Sequence, residues 1–210
     1  MHISARTGII NNDQMAATAF ALDVAEMVES STGNTISVWS GVYGMPLGSL
    51  TWSTQVETFA DVAVMETKLM ENADYVAKVT EAGAAGLFIP GSFENHLARV
   101  IHAAGVQGPI EYVSTISATA LPGKMHEAIA FATSISDHAA EVTGNPNTVG
   151  VSNWGTPGLI TWFGGYAGAD SVDAASEAIA ADAEYQERVA AAADLFVPNS
   201  SQTTLARRLR

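Results

Sequence analysis

The sequence contains no cysteine and few basic residues. The absence of cysteine excludes disulfides, thiolate nucleophiles and cysteine-ligated metal or iron–sulfur sites, so that histidine and carboxylates are the strong ligands that remain. Nine Lys and Arg residues against 22 Asp and Glu residues give a formal net charge of -13. Such a surface repels nucleic-acid phosphates and anionic lipid headgroups, so neither is an expected partner. The acidic balance fits ordinary solubility and a saline habitat equally well.

Long hydrophobic runs are also missing. Polar residues interrupt the apolar stretches every few positions, and none approaches the roughly 20 apolar residues that a bilayer span requires. Residues 1–6 alternate in polarity and do not form a basic region followed by an apolar leader, so we expect a cytoplasmic protein. The glycine-rich turns lack the spacings of nucleotide cradles, and no serine lies in a GxSxG motif. The sequence therefore gives no support to nucleotide binding or hydrolase chemistry.

The chain contains one module twice, in tandem. Residues 16–34 align without gaps on residues 127–145, and residues 87–101 align on residues 195–209. Similarity that stays collinear over a whole half of a chain is typical of duplication. We predict a first repeat over residues 1–104, a linker over 105–110 and a second repeat over 111–210. A feature required by the fold should appear in both repeats, which makes the asymmetric positions the ones to examine for function.

Each repeat predicts the element order β-α-β-β-α-β. The β-rich runs at 2–10 and 112–120 predict first strands, and the helices that follow should end at Gly33 and Gly144. The predicted hairpins are 35–43 with 49–55, and 148–154 with 159–165. In the first repeat, a capping box of Thr54 and Glu57 is expected to open a second helix, whose apolar stripe runs from Val62 to Val76. The second helix of the second repeat has a corresponding stripe from Val172 to Val189. Final strands should follow from Asn95 and from Thr203.

This order is the ferredoxin-like arrangement, in which both helices cover the same face of a four-stranded antiparallel sheet. Apolar surface on the other face would cost about 25 cal/mol per Å² if it stayed in water. The second repeat can cover it. The predicted fold is therefore α+β, with two ferredoxin-like βαββαβ repeats whose antiparallel sheets pack face to face as a single-chain barrel.

The stretch Leu159-Ile160-Thr161-Trp162, followed by an alanine-rich helix that contains Tyr185, resembles the NIPSNAP-like members of the dimeric α/β barrel superfamily. Both repeats are similar to that superfamily, which also includes the antibiotic-biosynthesis-monooxygenase-like proteins. The resemblance implies a barrel that usually needs two chains and is formed here within one chain. Some relatives are cofactor-free oxygenases and some degrade haem. No cofactor is expected for this chain.

The haem-degrading relatives use an Asn on the first strand, a Trp on the third strand and a His on the second helix. Trp52 and Trp162 match the Trp, but residues 59–81 and 170–193 contain no His, and neither first strand contains an Asn. Haem degradation by that triad is therefore not expected. For the quinone-forming monooxygenases the resemblance extends to the same Trp and to Arg99 or Arg207.

Two groups of residues are candidates for a site. The repeated aromatic side chains can stack a planar ligand, and the repeated arginines can bind a carboxylate, although core packing and structural ion pairs explain the repetition as well. These candidate ligand-binding residues are Tyr43, Trp52, Arg99, Trp154, Trp162 and Arg207.

The second group is confined to the first repeat. His2, Arg6 and His96 stand where the second repeat has Tyr112, Ile116 and Thr204. An imidazole in a partly desolvated pocket can act as a general base, so these three are the candidate catalytic residues. A surface or structural role is the alternative for each of them. A metal site is not expected, because the sequence has no HxH motif, no i, i+4 His pair and no carboxylate cluster.

Two functional hypotheses follow. In the first, the interior of the barrel binds a small aromatic or polyketide-like molecule, and the protein acts as a cofactor-independent monooxygenase or isomerase-like enzyme. In the second, the barrel is a non-catalytic protein that serves in assembly or partner binding. The sequence does not decide whether the protein is an enzyme, and it leaves open both a monomer and a homo-oligomer of the duplicated chain.

Overall fold

The computed structural model of the protein describes residues 1–152 and 154–210. The first half of the chain contains β1 (His2–Ile9), α1 (Gln14–Thr32), β2 (Ser37–Tyr43), β3 (Ser49–Val56), α2 (Phe59–Glu71), α3 (Ala73–Ala84) and β4 (Glu94–Ala104). The second half contains β5 (Tyr112–Thr119), α4 (Met125–Thr143), β6 (Asn147–Ser152), β7 (Leu159–Tyr166), α5 (Ala169–Ala181), α6 (Ala183–Ala191), a 3-10 turn (Ala193–Leu195) and β8 (Gln202–Arg208).

The strands form a closed barrel in the order β1-β3-β2-β8-β5-β7-β6-β4. Strand β3 pairs antiparallel with β1 and β2, and β7 pairs antiparallel with β5 and β6. The predicted α+β barrel is therefore confirmed. No helix in the described part of the chain is both long and apolar enough to cross a bilayer.

Contacts divide the chain into two compact units. Unit 1 comprises residues 1–97 and 207–210, and unit 2 comprises residues 98–206. The division falls within β4 and β8, so each of these strands begins in one unit and ends in the other. The repeat limits at residues 104 and 111 describe the order of modules along the chain and stay a prediction from the sequence.

The second helix of each repeat is broken in two, whereas the sequence predicted one continuous helix. Asn72 and Asp182 stand at the breaks, and both have φ -84° and ψ 104°, which is extended backbone. The Asn72 side chain accepts hydrogen bonds from the N–H groups of Asp74 and Tyr75, and Asp182 accepts one from Tyr185. Both residues favour such caps, which satisfy the free N–H groups of the next helix.

The predicted capping box of Thr54 and Glu57 is wrong. Thr54 lies inside β3, where its hydroxyl donates to the Thr35 carbonyl at 2.9 Å. Because the strand continues beyond Thr54, the helix starts later, and its capping box is formed by Thr58 and Asp61. The Asp61 N–H donates to the Thr58 hydroxyl at 3.2 Å, and the Thr58 N–H donates to the Asp61 carboxylate at 2.8 Å.

The predicted ends of the other elements agree with the structure to within a few residues. The first helices end at Gly33 and Gly144, whose φ values of 79° and 70° lie in the left-handed region. The strand predicted over 148–154 ends at Ser152; Asn153 lies outside the described residues, and Trp154 follows in a turn.

The apolar core of each unit lies between its helices and one face of its strands. In unit 1 the core joins α1 to Val38, Leu50 and Trp52, and in unit 2 it joins α4 to Val149 and Trp162. Because side chains alternate along a strand, the neighbouring residues point to the helix-free face of the same unit.

The helix-free face of each unit carries hydroxyl groups beside its apolar side chains. In unit 1 the hydroxyls of Thr7 and Thr51 lie 2.8 Å apart, and in unit 2 those of Thr115 and Thr204 lie 2.6 Å apart. All four residues are partly exposed. These faces are therefore more polar than the apolar surface assumed in the sequence argument.

Candidate functional site

The two tryptophans on the third strands occupy equivalent places in the two units. The Trp52 indole N–H donates to the Ala21 carbonyl at 2.9 Å, and that of Trp162 donates to the Ala132 carbonyl at 3.1 Å. Each indole contacts one Phe on the first helix of its repeat and another just before the last strand. Burial against the first helix favours the packing role that the sequence analysis gave as the alternative.

Tyr43 and Trp154 lie apart from these clusters. They are 73% and 69% exposed, Tyr43 at the end of β2 and Trp154 in the turn after β6. A hairpin end projects its side chains into solvent, so the structure does not bring these two rings to Trp52 or Trp162. Arg99 on β4 and Arg207 on β8 are exposed as well, and they belong to different units.

Arg6 lies next to Trp52, but on the helix side of the strands and not in the barrel interior, where the sequence analysis expected the site. The Cα atoms of the two residues are partners in the β1–β3 ladder. The Arg6 Nε–H donates to the Asn95 side-chain oxygen at 2.7 Å, and one Nη lies 4.0 Å from a Glu66 oxygen. Arg6 is thus held between β4 and α2, on the face of the strands that carries the helices.

Phe93 completes this arrangement. Its ring stacks on Trp52 with a centroid distance of 6.4 Å and an interplanar angle of 27°, and it is 47% exposed. The same ring covers Gly8, where an added Cβ would lie 2.6 Å from Phe93 Cε1. The absence of a side chain at Gly8 therefore makes room for Phe93. We call this group the Arg6 site; it consists of Arg6, Trp52, Glu66, Phe93 and Asn95.

His2 and His96 do not join the Arg6 site. His2 is at the start of β1, four residues from Arg6, and its Nδ1 lies 3.3 Å from the Glu57 carbonyl oxygen. His96 Nε2 is 3.6 Å from a Glu94 oxygen. Because His96 follows Asn95 on β4, alternation directs it to the face opposite Asn95. The three predicted catalytic residues therefore do not form one cluster.

Unit 2 has no equivalent of the Arg6 site. Only the tryptophan is kept, since Trp162 corresponds to Trp52. The repeat alignment places uncharged residues at the other four positions, which are Ile116 for Arg6, Ser176 for Glu66, Ser201 for Phe93 and Thr203 for Asn95. At these positions charged residues therefore occur in unit 1 and not in unit 2.

Unit 2 instead has an open groove over its aromatic core. The groove has a volume of about 320 Å³ and is lined by Phe131, Ser134, Ile135, Arg188, Ala191, Ala192 and Leu195. Arg188 lies at its edge, where its Nε–H donates to Glu184 at 3.0 Å. In unit 1 the corresponding helices are joined by Lys78 and Asp23, whose charged atoms are 2.6 Å apart.

Glu66, Phe93 and Asn95 were not predicted from the sequence. A signal for Phe93 was present, because the repeat alignment places a large apolar residue opposite Ser201. Glu66 could not be found in this way, since a charged residue on an exposed helix face is the usual case. Among the described residues, no three His, Asp or Glu side chains are arranged to hold a metal ion.

No known family model matches the sequence, and no curated protein is significantly similar to it. Solved structures do match. A Fusobacterium nucleatum protein described as a "putative monooxygenase" aligns with a TM-score of 0.74 at 8% identity, over 100% of this chain and 92% of its own. An anthrone oxidase-like protein aligns with a TM-score of 0.67 at 12% identity, over 100% of this chain and 92% of its own.

A second "putative monooxygenase", from Lactobacillus acidophilus NCFM, aligns with a TM-score of 0.65 at 12% identity, over 99% of this chain and 93% of its own. These matches extend over nearly the whole length of both chains in each pair, so this chain has the fold of the dimeric α/β barrel proteins. Similarity at such low identity establishes the fold and leaves the activity to be argued from the site.

Proposed function

We propose that the protein binds a small aromatic molecule at the Arg6 site and oxidises it with molecular oxygen, without a cofactor. The observation that carries this proposal is the half-exposed Phe93 ring, stacked on Trp52 beside the Arg6 guanidinium. The names of the similar structures, which include monooxygenase and anthrone oxidase-like, support the choice of reaction class.

The chemistry of the site suits a planar ligand that carries a phenol or enol oxygen. An aromatic ligand can stack against the exposed part of Phe93, which offers apolar area and a favourable ring geometry. The Arg6 Nε–H donates to the Asn95 side-chain oxygen. This hydrogen bond fixes the direction of the guanidinium, and the Nη donors can then bind an oxyanion. Arg6 is therefore assigned to bind the ligand oxygen.

The proposed reaction converts the CH₂ group of an anthrone-type ketone to a second ketone. Glu66, near the Arg6 guanidinium, removes a proton from the CH₂ group, and Arg6 stabilises the enolate oxygen. The enolate passes one electron to O₂, and the two radicals combine to form a C–O bond. The resulting peroxide loses water and leaves the C=O group. One O₂ is consumed, one of its oxygen atoms enters the product and the other leaves as water with the two hydrogens of the CH₂ group.

Oxygen uptake with 1,8-dihydroxyanthrone tests the proposal. We expect the protein to consume one O₂ per anthraquinone formed, faster than the anthrone oxidises by itself. Arg6→Ile introduces the residue of unit 2, and it should lower kcat/KM about 100-fold, as the loss of a charge-stabilising donor does in other enzymes. Glu66→Gln should lower kcat with a smaller change in KM.

The matched control is Ile116→Arg, which places the same side chain at the equivalent position of unit 2 and should leave the rate unchanged. His2→Ala and His96→Ala test the two remaining predicted catalytic residues in the same assay. A wild-type rate equal to spontaneous oxidation, or an unchanged rate in Arg6→Ile, would contradict the proposal and favour a non-catalytic barrel.

A further inference from the structure

The other tryptophan of unit 1, Trp39, lies on the helix-free face. Its neighbour Val38 is fully buried against the helices, so alternation places Trp39 on the other side of β2. The Trp39 indole N–H donates to the Ser53 hydroxyl at 2.8 Å, and both residues are partly exposed. This ring was not among the predicted site residues, and it is not part of the Arg6 site.

Arg208 is positioned over the Trp39 ring. The central carbon of its guanidinium is 5.8 Å from the ring centroid, a cation–π distance. The Arg208 Nε is buried, and among the described residues it has no hydrogen-bond partner. A buried donor on a charged group is rarely left unpaired in a folded protein, so this guanidinium is not explained as part of an internal ion pair.

The end of the chain is fixed by other contacts. The Leu209 N–H donates to the Val38 carbonyl at 2.7 Å. Arg210 donates to Glu26 at 2.7 Å and to Glu29 at 2.6 Å. Hydrogen bonding from the Ile36 N–H, with further help from Arg210, lowers the pKa of Glu29 below its ordinary value. These carboxylates are therefore engaged by Arg210, and the Arg208 backbone is held in place next to β2.

The fold does not require this group. At the corresponding positions unit 2 has Val100 for Arg208, Gly150 for Trp39 and Phe163 for Ser53. There the Phe163 ring covers Gly150, at 3.2 Å from the place of an added Cβ. An aromatic ring over a small residue thus recurs in both units, whereas the guanidinium occurs in unit 1 alone.

We propose that the helix-free face of unit 1 binds a small aromatic carboxylate, with the carboxylate on Arg208 and the ring against Trp39. A guanidinium binds a carboxylate through two parallel hydrogen bonds, and its Nε–H can supply one of them after a small rotation of the side chain. In a chain of net charge -13, a cation with an unpaired donor is a local point of attraction for an anion. The inference is independent of the reaction proposed for the Arg6 site.

Titration of ¹⁵N-labelled protein with 2-naphthoate tests this site. The chain has four tryptophans, which are expected to give four indole N–H signals, and Trp39→Phe identifies the one from Trp39. We expect the Trp39 signal to shift in a saturable manner, with the Trp52, Trp154 and Trp162 signals moving less. Arg208→Val, which introduces the residue of unit 2, should weaken binding at least tenfold, and neutral 2-naphthamide should bind at least tenfold more weakly than 2-naphthoate.

Three further variants sharpen the result. Arg208→Lys keeps the charge but not the planar fork, so it should weaken binding severalfold, and it replaces Arg208→Val in the test if the latter does not fold. Arg188→Ala should leave the affinity read from the Trp39 signal unchanged, and Arg6→Ile shows whether any shift of Trp52 comes from binding at the Arg6 site. No saturable shift of the Trp39 signal, or equal affinity in the wild type and the Arg208 variants, would overturn the proposal. A shift of Trp52 that is lost in Arg6→Ile, with no saturable shift of Trp39, would overturn it too, and would assign the carboxylate to the Arg6 site.

Discussion

Units 1 and 2 have the same elements and the same helix-side core, but they differ on the surfaces beside that core. Both bury a tryptophan from the third strand against the first helix of the repeat. Unit 1 alone places Arg6 beside this tryptophan and Arg208 on the opposite face, where unit 2 has Ile116 and Val100. The shared features are those that the module needs to fold, and the unshared ones are available for binding and catalysis.

The largest change in stability is expected when the shared tryptophans are removed. Trp52→Ala and Trp162→Ala should each lower the free energy of unfolding by about 3–5 kcal/mol, because a large side chain is lost from a packed core. The loss should be greater for Trp162, which is 9% exposed, than for Trp52, which is only partly buried. Urea denaturation followed by circular dichroism measures both values.

Tyr43→Ala is the control for aromatic content. Its ring is exposed, so its removal should change the free energy of unfolding by less than about 0.5 kcal/mol. If Trp52→Ala were as mild as Tyr43→Ala while Trp162→Ala remained severe, the two units would not share one core design. The distinction between shared and unshared positions would then lose its basis.

A smaller effect is expected at the shared helix ends. Gly33 and Gly144 have positive φ values and nothing within 4 Å of an added Cβ, so replacement by Ala costs backbone energy alone. Gly33→Ala and Gly144→Ala should each destabilise the protein by about 1–2 kcal/mol. The shift of the unfolding midpoint in urea gives the cost for each.

Gly83→Ala separates backbone strain from the added methyl group. Gly83 lies within α3, with no positive φ and nothing within 4 Å of an added Cβ. There Ala should stabilise the helix by about 0.5–1 kcal/mol, since Gly is the poorer helix former. Destabilisation at Gly83, or none at Gly33 and Gly144, would contradict the assigned backbone conformations.

Local sequence signals predicted the strands and the first helices well. Period-two and helical patterns, together with Gly33 and Gly144, were sufficient, because these elements are specified by their own residues and appear twice. The break in the second helix was not predicted, because Asn72 lies within a pattern that reads as continuous from Val62 to Val76. Only the side-chain cap of the following helix shows that the backbone turns there.

The residues of the candidate site were predicted only in part, and the reason differs from that for the helix break. Arg6 and Trp52 were named from asymmetry and repetition, and the β1–β3 register makes them neighbours. His96 was named with them, although it alternates with Asn95 and so lies on the other face. Which strand residues face one another depends on register between distant segments. That register is fixed by the whole fold, so sequence reasoning could not assemble the Arg6 site or notice Arg208.

The smallest predicted effect concerns the two helix breaks. Asp182 accepts hydrogen bonds from His138 at 2.9 Å and from the Tyr185 N–H, whereas Asn72 in unit 1 is paired with Ser31. The bond to His138, followed by that to Tyr185, lowers the pKa of Asp182 below its ordinary value. A lowered folded-state pKa stabilises the protein above the unfolded value of about 4 and ceases to do so as the pH falls through the folded-state pKa.

Asp182→Asn introduces the residue of unit 1 and removes this titration. We expect the variant to be slightly less stable than the wild type at pH 6, because the Asn side chain still caps the helix but binds His138 without charge. The difference should shrink as the pH is lowered towards 3, and thermal unfolding across this range measures it. Asp137→Asn is the control, because it removes the carboxylate that lies 2.7 Å from His102 and leaves the helix break unchanged. A difference between Asp182→Asn and the wild type that grows on acidification would mean that the charged form of Asp182 does not stabilise unit 2.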